Sequence, residues 1–279
     1  MTTVLITGAS SGIGLACAVA AARAGLTTVA TVRRPGGSRA VHEAAERAGV
    51  TVDVAGLDVT APGSVEECVR AVIARHGRLD ALVNNAGDAG QRATLELGTM
   101  AALRACMEVN FFGVAAVTRA ALPHLRANQG RLVTISSVRG VIGQPFNECY
   151  SAAKFAVEGL MEALAPVAAE VGVTVSLVEP AAVLDTAFVT NAPGDLPEML
   201  STASPYAAAF EAYRAWVRTG AVEDAQTAAE VAEVVVRALT GDRPALRVQT
   251  SEYARRYVAR KLADPDGAAL QALMRSWLR

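Results

Sequence analysis

Short β-branched runs alternate with longer alanine-rich stretches through most of this 279-residue chain. The strand-like runs fall at residues 4–7, 28–32, 51–57, 81–83, 131–136, 173–178 and 246–249. Helical periodicity fills 13–24, 38–48, 64–76, 100–128, 150–171 and 225–239. Alternation of this kind restricts the chain to a parallel sheet, because successive parallel strands can be joined only by crossovers, and these are right-handed. The crossover helices cover both faces, so the strands must be apolar throughout; a hydrophobic content of 52% can supply that. The expectation is an α/β doubly wound parallel sheet of about seven strands. No internal repeat or low-complexity linker divides the chain, so residues 1–279 read as a single domain.

Two segments depart from the alternation. Residues 181–220 are too long for a plain connection: Pro193, Gly194 and Pro197 precede an amphipathic stretch rich in Ala, Tyr and Phe. An insertion of this kind is expected to be a substrate loop. The tail at 251–279, with apolar Leu262, Leu270, Leu273, Met274 and Trp277, reads as helical and either covers the core or meets a partner subunit.

Composition excludes several classes. A net charge of −1 offers no electrostatic case for nucleic acid or an anionic membrane. Cys17, Cys68, Cys106 and Cys149 are scattered and read as buried thiols of a cytoplasmic protein. The start, Met1 to Gly8, has no basic n-region and reads as a strand rather than a targeting segment. No run is read as approaching the ~20 apolar residues of a membrane span. His42, His76 and His124 are dispersed, so no metal site is expected. Neither a G-x-S-x-G elbow nor a Cys/His pairing supports hydrolase chemistry.

Thr7-Gly8-Ala9-Ser10-Ser11-Gly12-Ile13-Gly14 joins the first strand to the first helix. Its glycines let the backbone turn tightly and approach a pyrophosphate resting on the helix N-terminus. Gly8, Ser10, Ser11, Gly12, Ile13 and Gly14 are therefore candidate cofactor contacts. The end of the second strand selects the dinucleotide: an acidic residue there suits NAD, a basic one the 2′-phosphate of NADP. The chain reads Thr31-Val32-Arg33-Arg34-Pro35, with no acid in reach. Arg33 is the expected phosphate partner, with Arg34 or Arg39 able to assist, and NADP is expected over NAD. Asp58, after the third strand, either accepts from the adenine amino group or caps the helix beginning near Pro62.

Tyr150 and Lys154 stand at i and i+4 of the helix read at 150–171. An ammonium beside a phenol is expected to lower the tyrosine pKa from ~10 toward neutrality. Such a tyrosine can pass a proton to or from an alcohol oxygen.

With these motifs in order, residues 3–183 resemble the short-chain dehydrogenases/reductases, in the compact type with one Rossmann-type domain. Further matches are Asn84-Asn85-Ala86-Gly87 after the fourth strand, Asn110 in Val109-Asn110-Phe111-Phe112-Gly113, and Ser137 after the fifth strand. The stretch from Ser137 through Phe146-Asn147 and Tyr150 to Leu160 is most similar to hydroxysteroid and retinol dehydrogenases. The resemblance implies that Tyr150 is the general acid and base and that Lys154 lowers its pKa and binds the nicotinamide ribose. It implies that Ser137, chosen over Ser136 by the thirteen-residue step to Tyr150, donates to the substrate oxygen. Asn110 is implied to hold a water beside Lys154 through a local break in its helix. Asn84, Ala86 and Gly87, with Val59, Pro180 and Val183, are implied to touch the cofactor. The family pattern of Pro-Gly and then Thr after the sixth strand is altered here to Pro180-Ala181, with Asp185 before Thr186. An alanine forced to positive φ would be strained.

Val138, Ile142, Phe146 and Phe188 join Ser137 and Tyr150 as candidate substrate contacts. Tyr206, Phe210, Tyr213 and Trp216 read as packing residues, several of which could line the same pocket. The expected protein is an NADP(H)-dependent oxidoreductase interconverting a small-molecule ketone and secondary alcohol, with an apolar or polycyclic substrate and reduction as the working direction. The family likeness also implies a homodimer or homotetramer through the helices at 100–128 and 150–171. The rival reading is a non-catalytic dinucleotide-binding sensor or scaffold of the same fold.

Overall fold

A computed structural model describes residues 2–34, 36–188, 197–220 and 225–279. The strands are β1 (Thr3–Ile6), β2 (Thr27–Val32), β3 (Asp53–Gly56), β4 (Ala81–Asn84), β5 (Arg131–Ile135), β6 (Thr174–Glu179) and β7 (Arg247–Gln249). They form one parallel sheet in the order β3-β2-β1-β4-β5-β6-β7. The crossovers are α1 (Gly12–Arg23), α2 (Gly37–Ala48), α3 (Pro62–His76), α4 (Met100–Met107), α5 (Gly113–Ala127) and α6 (Glu148–Ala169). Beyond β6 come α7 (Pro197–Leu200), α8 (Ala207–Gly220) and α9 (Ala228–Thr240). After β7 follow α10 (Glu252–Leu262) and α11 (Ala268–Ser276).

Successive strand residues point to opposite faces, and the core divides accordingly. Val4, Ile6, Ala30, Val83 and Val178 pack with α1, α2 and α9 through Ala18, Ala21 and Val235. Leu5, Val29, Leu82, Leu132 and Leu177 pack with α3, α5 and α6 through Val69, Val117 and Met161. This is the doubly wound sheet the alternation called for. The strand order reverses between β1 and β4, which opens a crevice outside the carboxyl ends of those strands.

The helical stretch read at 100–128 is interrupted by a π-helical turn, Glu108–Phe112, between α4 and α5, where a local break at Asn110 was expected. Within Met100–Ala127 an 18-residue stretch has a mean hydropathy of 1.4, and by length and composition alone the helix is long and apolar enough to cross a bilayer, which corrects the expectation that no run is. Here its apolar positions Val114, Val117, Ala121 and Leu125 are spent on the sheet. Pro35 and residues 189–196, including Pro193 and Gly194 of the expected substrate loop, lie outside the described residues. The tail covers the core: Tyr257, Val258, Met274 and Trp277 close over Val138 and Ile142, while Leu262 stays exposed.

Candidate active site

The glycine loop is bolted to the turn after β4. Thr7 Oγ1 accepts from the backbone N–H groups of Asn85 and Ala86, each at 2.9 Å. Asn85 Nδ2 donates back to the Thr7 and Gly8 carbonyls at 2.8 and 3.0 Å. Gly8 and Gly12 have φ of +67° and +55°, and a Cβ on Gly8 would come within 2.8 Å of Ala86 Cα. No side chain caps α1 at Ser11, so its first N–H groups face the loop. Positive-φ glycines beneath an uncapped helix N-terminus fit a dinucleotide pyrophosphate, with Gly8, Ser10, Ser11, Gly12, Ile13 and Gly14 around it.

The Asn84 side chain is buried. As the last β4 residue it turns inward, donating to Thr118 Oγ1 and Thr134 Oγ1 at 2.8 and 3.3 Å. Its amide ties β4 to α5 and β5, and Asn85 does the work at the glycine loop. The asparagine-glycine turn was legible as a motif, but strand register decides which asparagine faces which way. Gly87 lies against Asn110 Oδ1, where a Cβ would come within 3.0 Å.

At the far end of the loop, Arg33 is exposed and close enough to Asp58 for its charge to hold that carboxyl below its ordinary range, after hydrogen bonds from Thr60. Asp58 accepts from Thr60 N and Oγ1 at 3.0 and 2.7 Å. The start of α3 carries no side-chain cap, so the capping alternative for Asp58 does not hold. Arg39 is drawn into an i,i+4 ion pair with Glu43 at 2.7 Å. Val59 packs onto Gly113 at the start of α5.

Ser137, Tyr150, Lys154 and Asn110 are all buried at the carboxyl edge of β4 and β5. Tyr150 meets the Phe188 ring edge-on at 5.6 Å. Burial pushes its phenol up to about 12, against the downward pull of the Arg139 charge and a hydrogen bond from Ser137. The expected lowering by Lys154 is therefore reversed in direction. The lysine sits 5.7 Å from the ring centre, donates to the Ile135 carbonyl at 2.9 Å, and is itself pulled down to about 8 by burial. Both charged forms lose hydration on burial, and that cost exceeds the help of the charges and hydrogen bonds around each. Asn110, on the π turn, donates to the carbonyls of Asp88 and Cys106 at 2.8 and 2.9 Å and accepts from Asp88 N. Among the described residues no direct hydrogen bond joins it to Lys154.

The substrate candidates separate into two sets. Phe188 and Ser137 adjoin Tyr150. Val138 and Ile142 are buried beneath α10 and α11, and Phe146 lies between Phe210 and Tyr213 of α8 at 5.0 and 5.5 Å. Where the tail landed was not legible in the sequence, and its landing buries Val138 and Ile142 against α10 and α11, as α8 buries Phe146. Phe146 also holds φ of +58°, a strained conformation for an aromatic residue, fixed by the rings around it.

After β6, the Pro180 carbonyl accepts from Val138 N at 3.0 Å. Ala181 has no positive φ, so the feared strain is absent. Val183 bridges to Gln226 and joins the core on the α9 side. Thr186 packs on Gly12, and Asp185 accepts from Ala228 N at 2.7 Å, capping α9. The displaced Asp–Thr pair thus serves two neighbours at once.

Sequence reading missed a buried acidic pair behind the site. Glu158, one turn beyond Lys154, and Glu179, the last residue of β6, face Arg247 at 3.0 and 3.5 Å. Burial raises both carboxyls, Glu179 to about 7. The i,i+4 spacing of Glu158 from Lys154 was a usable signal; the approach of β7 was not.

Fold and site together define a class: a nicotinamide dinucleotide-dependent oxidoreductase built on a doubly wound sheet. The family model for short chain dehydrogenases matches residues 2–196, and the chain belongs to that family. Retinol dehydrogenase 8 of Bos taurus is 38% identical over 278 residues, which is 95% of this chain and 86% of the relative. The 17-beta-hydroxysteroid dehydrogenase type 1 of Homo sapiens is 36% identical over 275 residues, 96% of this chain and 83% of the relative. Among solved structures, a short-chain dehydrogenase from Streptomyces avermitilis is similar with a TM-score of 0.78 at 31% identity, covering 99% of this chain and 95% of its own. Actinorhodin polyketide ketoreductase with NADPH is similar with a TM-score of 0.74 at 29% identity, covering 89% of this chain and 95% of its own.

Proposed function

We propose that this protein is an NADP(H)-dependent oxidoreductase that interconverts a ketone and a secondary alcohol on an apolar or polycyclic small molecule, working in the cell as a reductase. The observation that carries the reading is Tyr150, a buried phenol beside Ser137 and flanked by the cations Lys154 and Arg139. Bound nicotinamide would supply or accept the hydride. Tyr150 gives its proton to the developing alkoxide oxygen in reduction and takes the alcohol proton in oxidation. Ser137 donates to the same oxygen, stabilising its charge. A phenol raised by burial is a proton donor held neutral at physiological pH, which suits the reductive direction. Lys154 holds the backbone carbonyl that ends β5 and keeps a positive charge in reach of the ring. Asn110 is assigned to a water relay beside Lys154, served by the π turn that releases a helical carbonyl.

Support for NADP comes from exposed Arg33 at the end of β2, from the missing acid there, and from a similar ketoreductase described with NADPH. The apolar substrate is supported by Phe188 beside Tyr150 and by relatives named for retinol and hydroxysteroids. A homodimer or homotetramer is supported by exposed Met100, Phe112, Phe155 and Val167 on the π-interrupted helix and on α6, and a cytoplasmic location is part of the same proposal. Turnover of NADPH with a panel of cyclic and aromatic ketones tests the reading. Tyr150→Phe should abolish it, and retained turnover in that variant would refute the mechanism.

A further inference from the structure

Arg139 stands two residues beyond Ser137, and its guanidinium lies 5.9 Å from the centre of the Tyr150 ring. It is held from two sides: Nε donates to Gln144 Oε1 at 2.7 Å and Nη1 to Asn147 Oδ1 at 3.1 Å. Both acceptors are neutral amides, and among the described residues no carboxylate pairs with the guanidinium. Each amide is oriented by a tyrosine. Asn147 Nδ2 donates to the Tyr213 hydroxyl of α8 at 2.7 Å, and Gln144 Nε2 to the Tyr257 hydroxyl of α10 at 3.1 Å. With their N–H groups committed to hydroxyls, the amides must present oxygen to Arg139.

The groups around the phenol come from several elements. Lys154 belongs to α6; Ser137 and Arg139 follow β5; Cys106 approaches from α4; Phe188 contributes only a ring. The Cys106 thiol is raised to about 11 by burial and brings no charge near neutrality. Of the two cations, Lys154 is pulled down to about 8, so it has already lost its proton where a phenol raised to about 12 ionises. A guanidinium keeps its charge throughout that range.

We propose that Arg139 is a positioning residue for the acid–base step, its permanent charge stabilising the Tyr150 phenolate from a place fixed by Gln144, Asn147 and the tyrosines of α8 and α10. The consequence is that seating of the substrate-side helices and the acidity of the reacting tyrosine are linked through two amides. Electrostatic stabilisation of this kind requires charge and position together, so a neutral side chain of similar length removes it while leaving the ring in place.

The inference rests on Tyr150 being the acid–base group, and it is tested on the phenol itself rather than on turnover. With 3,5-difluorotyrosine incorporated at position 150 of the full chain, ¹⁹F NMR follows its titration at accessible pH. Arg139→Met should raise the midpoint by about one unit, and Arg139→Lys should return at least half of that shift. Arg139→Gln serves the same purpose should the Met variant fail to fold. An unchanged or lowered midpoint in the neutral variant, or a Lys variant no different from it, would overturn the proposal. Tyr150-dependent turnover alongside an unresponsive phenol refutes this inference alone; a responsive phenol with Tyr150-independent turnover refutes the proposed reaction instead.

Discussion

Glu179→Gln should remove a specific part of the protein's pH-dependent stability. Glu179 is fully buried at the end of β6, with Glu158 beside it and Arg247 at 3.5 Å. Its carboxyl is raised from 4.5 to about 7, chiefly by burial. The folded state thus holds this proton more tightly than the unfolded chain does. A raised pKa contributes stability that is complete below pH 4.5 and is lost as pH rises through 7. Integrated from pH 5 to pH 8.5, the loss is about 2.5 kcal/mol. Glutamine cannot ionise, so the variant should lack that slope. Arg247 keeps Glu158 and Glu162 as partners at 3.0 and 2.9 Å, so the substitution leaves no bare cation. Urea denaturation followed by the fluorescence of Trp216 and Trp277, at the two pH values, gives four stabilities. Their double difference isolates the proton and cancels any pH-independent cost of glutamine. Equal slopes in the two proteins would show that burial does not raise Glu179 as argued.

Three further outcomes follow from single contacts. Arg33→Ala should weaken NADPH binding about tenfold or more through loss of a charge-assisted phosphate contact, with NADH affinity little changed in fluorescence titrations; equal losses would rule out the phosphate role. Gly14→Ala places a Cβ against the Gly8 carbonyl and Asn85 Nδ2, so overpacking should cost about 2 kcal/mol in denaturant unfolding, and an unaffected midpoint would mean the loop has slack. Asp185→Ala removes the acceptor for Ala228 N at the start of α9 and should cost about 1 kcal/mol; an unchanged thermal midpoint would show that Thr227, which also caps this helix, suffices.

Much of the layered fold was legible because periodicity is a local property. Strand runs such as 131–136 and 81–83 coincide with β5 and β4 to within a residue, since a strand buried on both faces must be apolar along its length. The glycine loop was legible because glycine adopts the positive φ found at Gly8 and Gly12 without the strain a side chain brings. Orientation was less so. Asn84 and Asn85 are the same residue type side by side, yet one ties the core together and the other the loop. Val138, Ile142 and Phe146 showed no sequence sign of the helices α8, α10 and α11 that close over them.

The sequence by itself determined the class of sheet, the glycine turn and the i,i+4 pairing of Tyr150 with Lys154, all of which depend on residue type at short spacing. The charge state of those two residues was decided only by the tertiary structure. Spacing puts an ammonium near a phenol, but burial acts on each group separately, lifting one pKa and lowering the other. Arg139, Glu158 and Glu179 acquire their roles only when α6, β7 and the C-terminal helices meet. The electrostatics of the site are thus set by contacts between residues far apart in the chain, as where the Tyr257 hydroxyl orients the Gln144 amide that holds Arg139, and no local pattern encodes them.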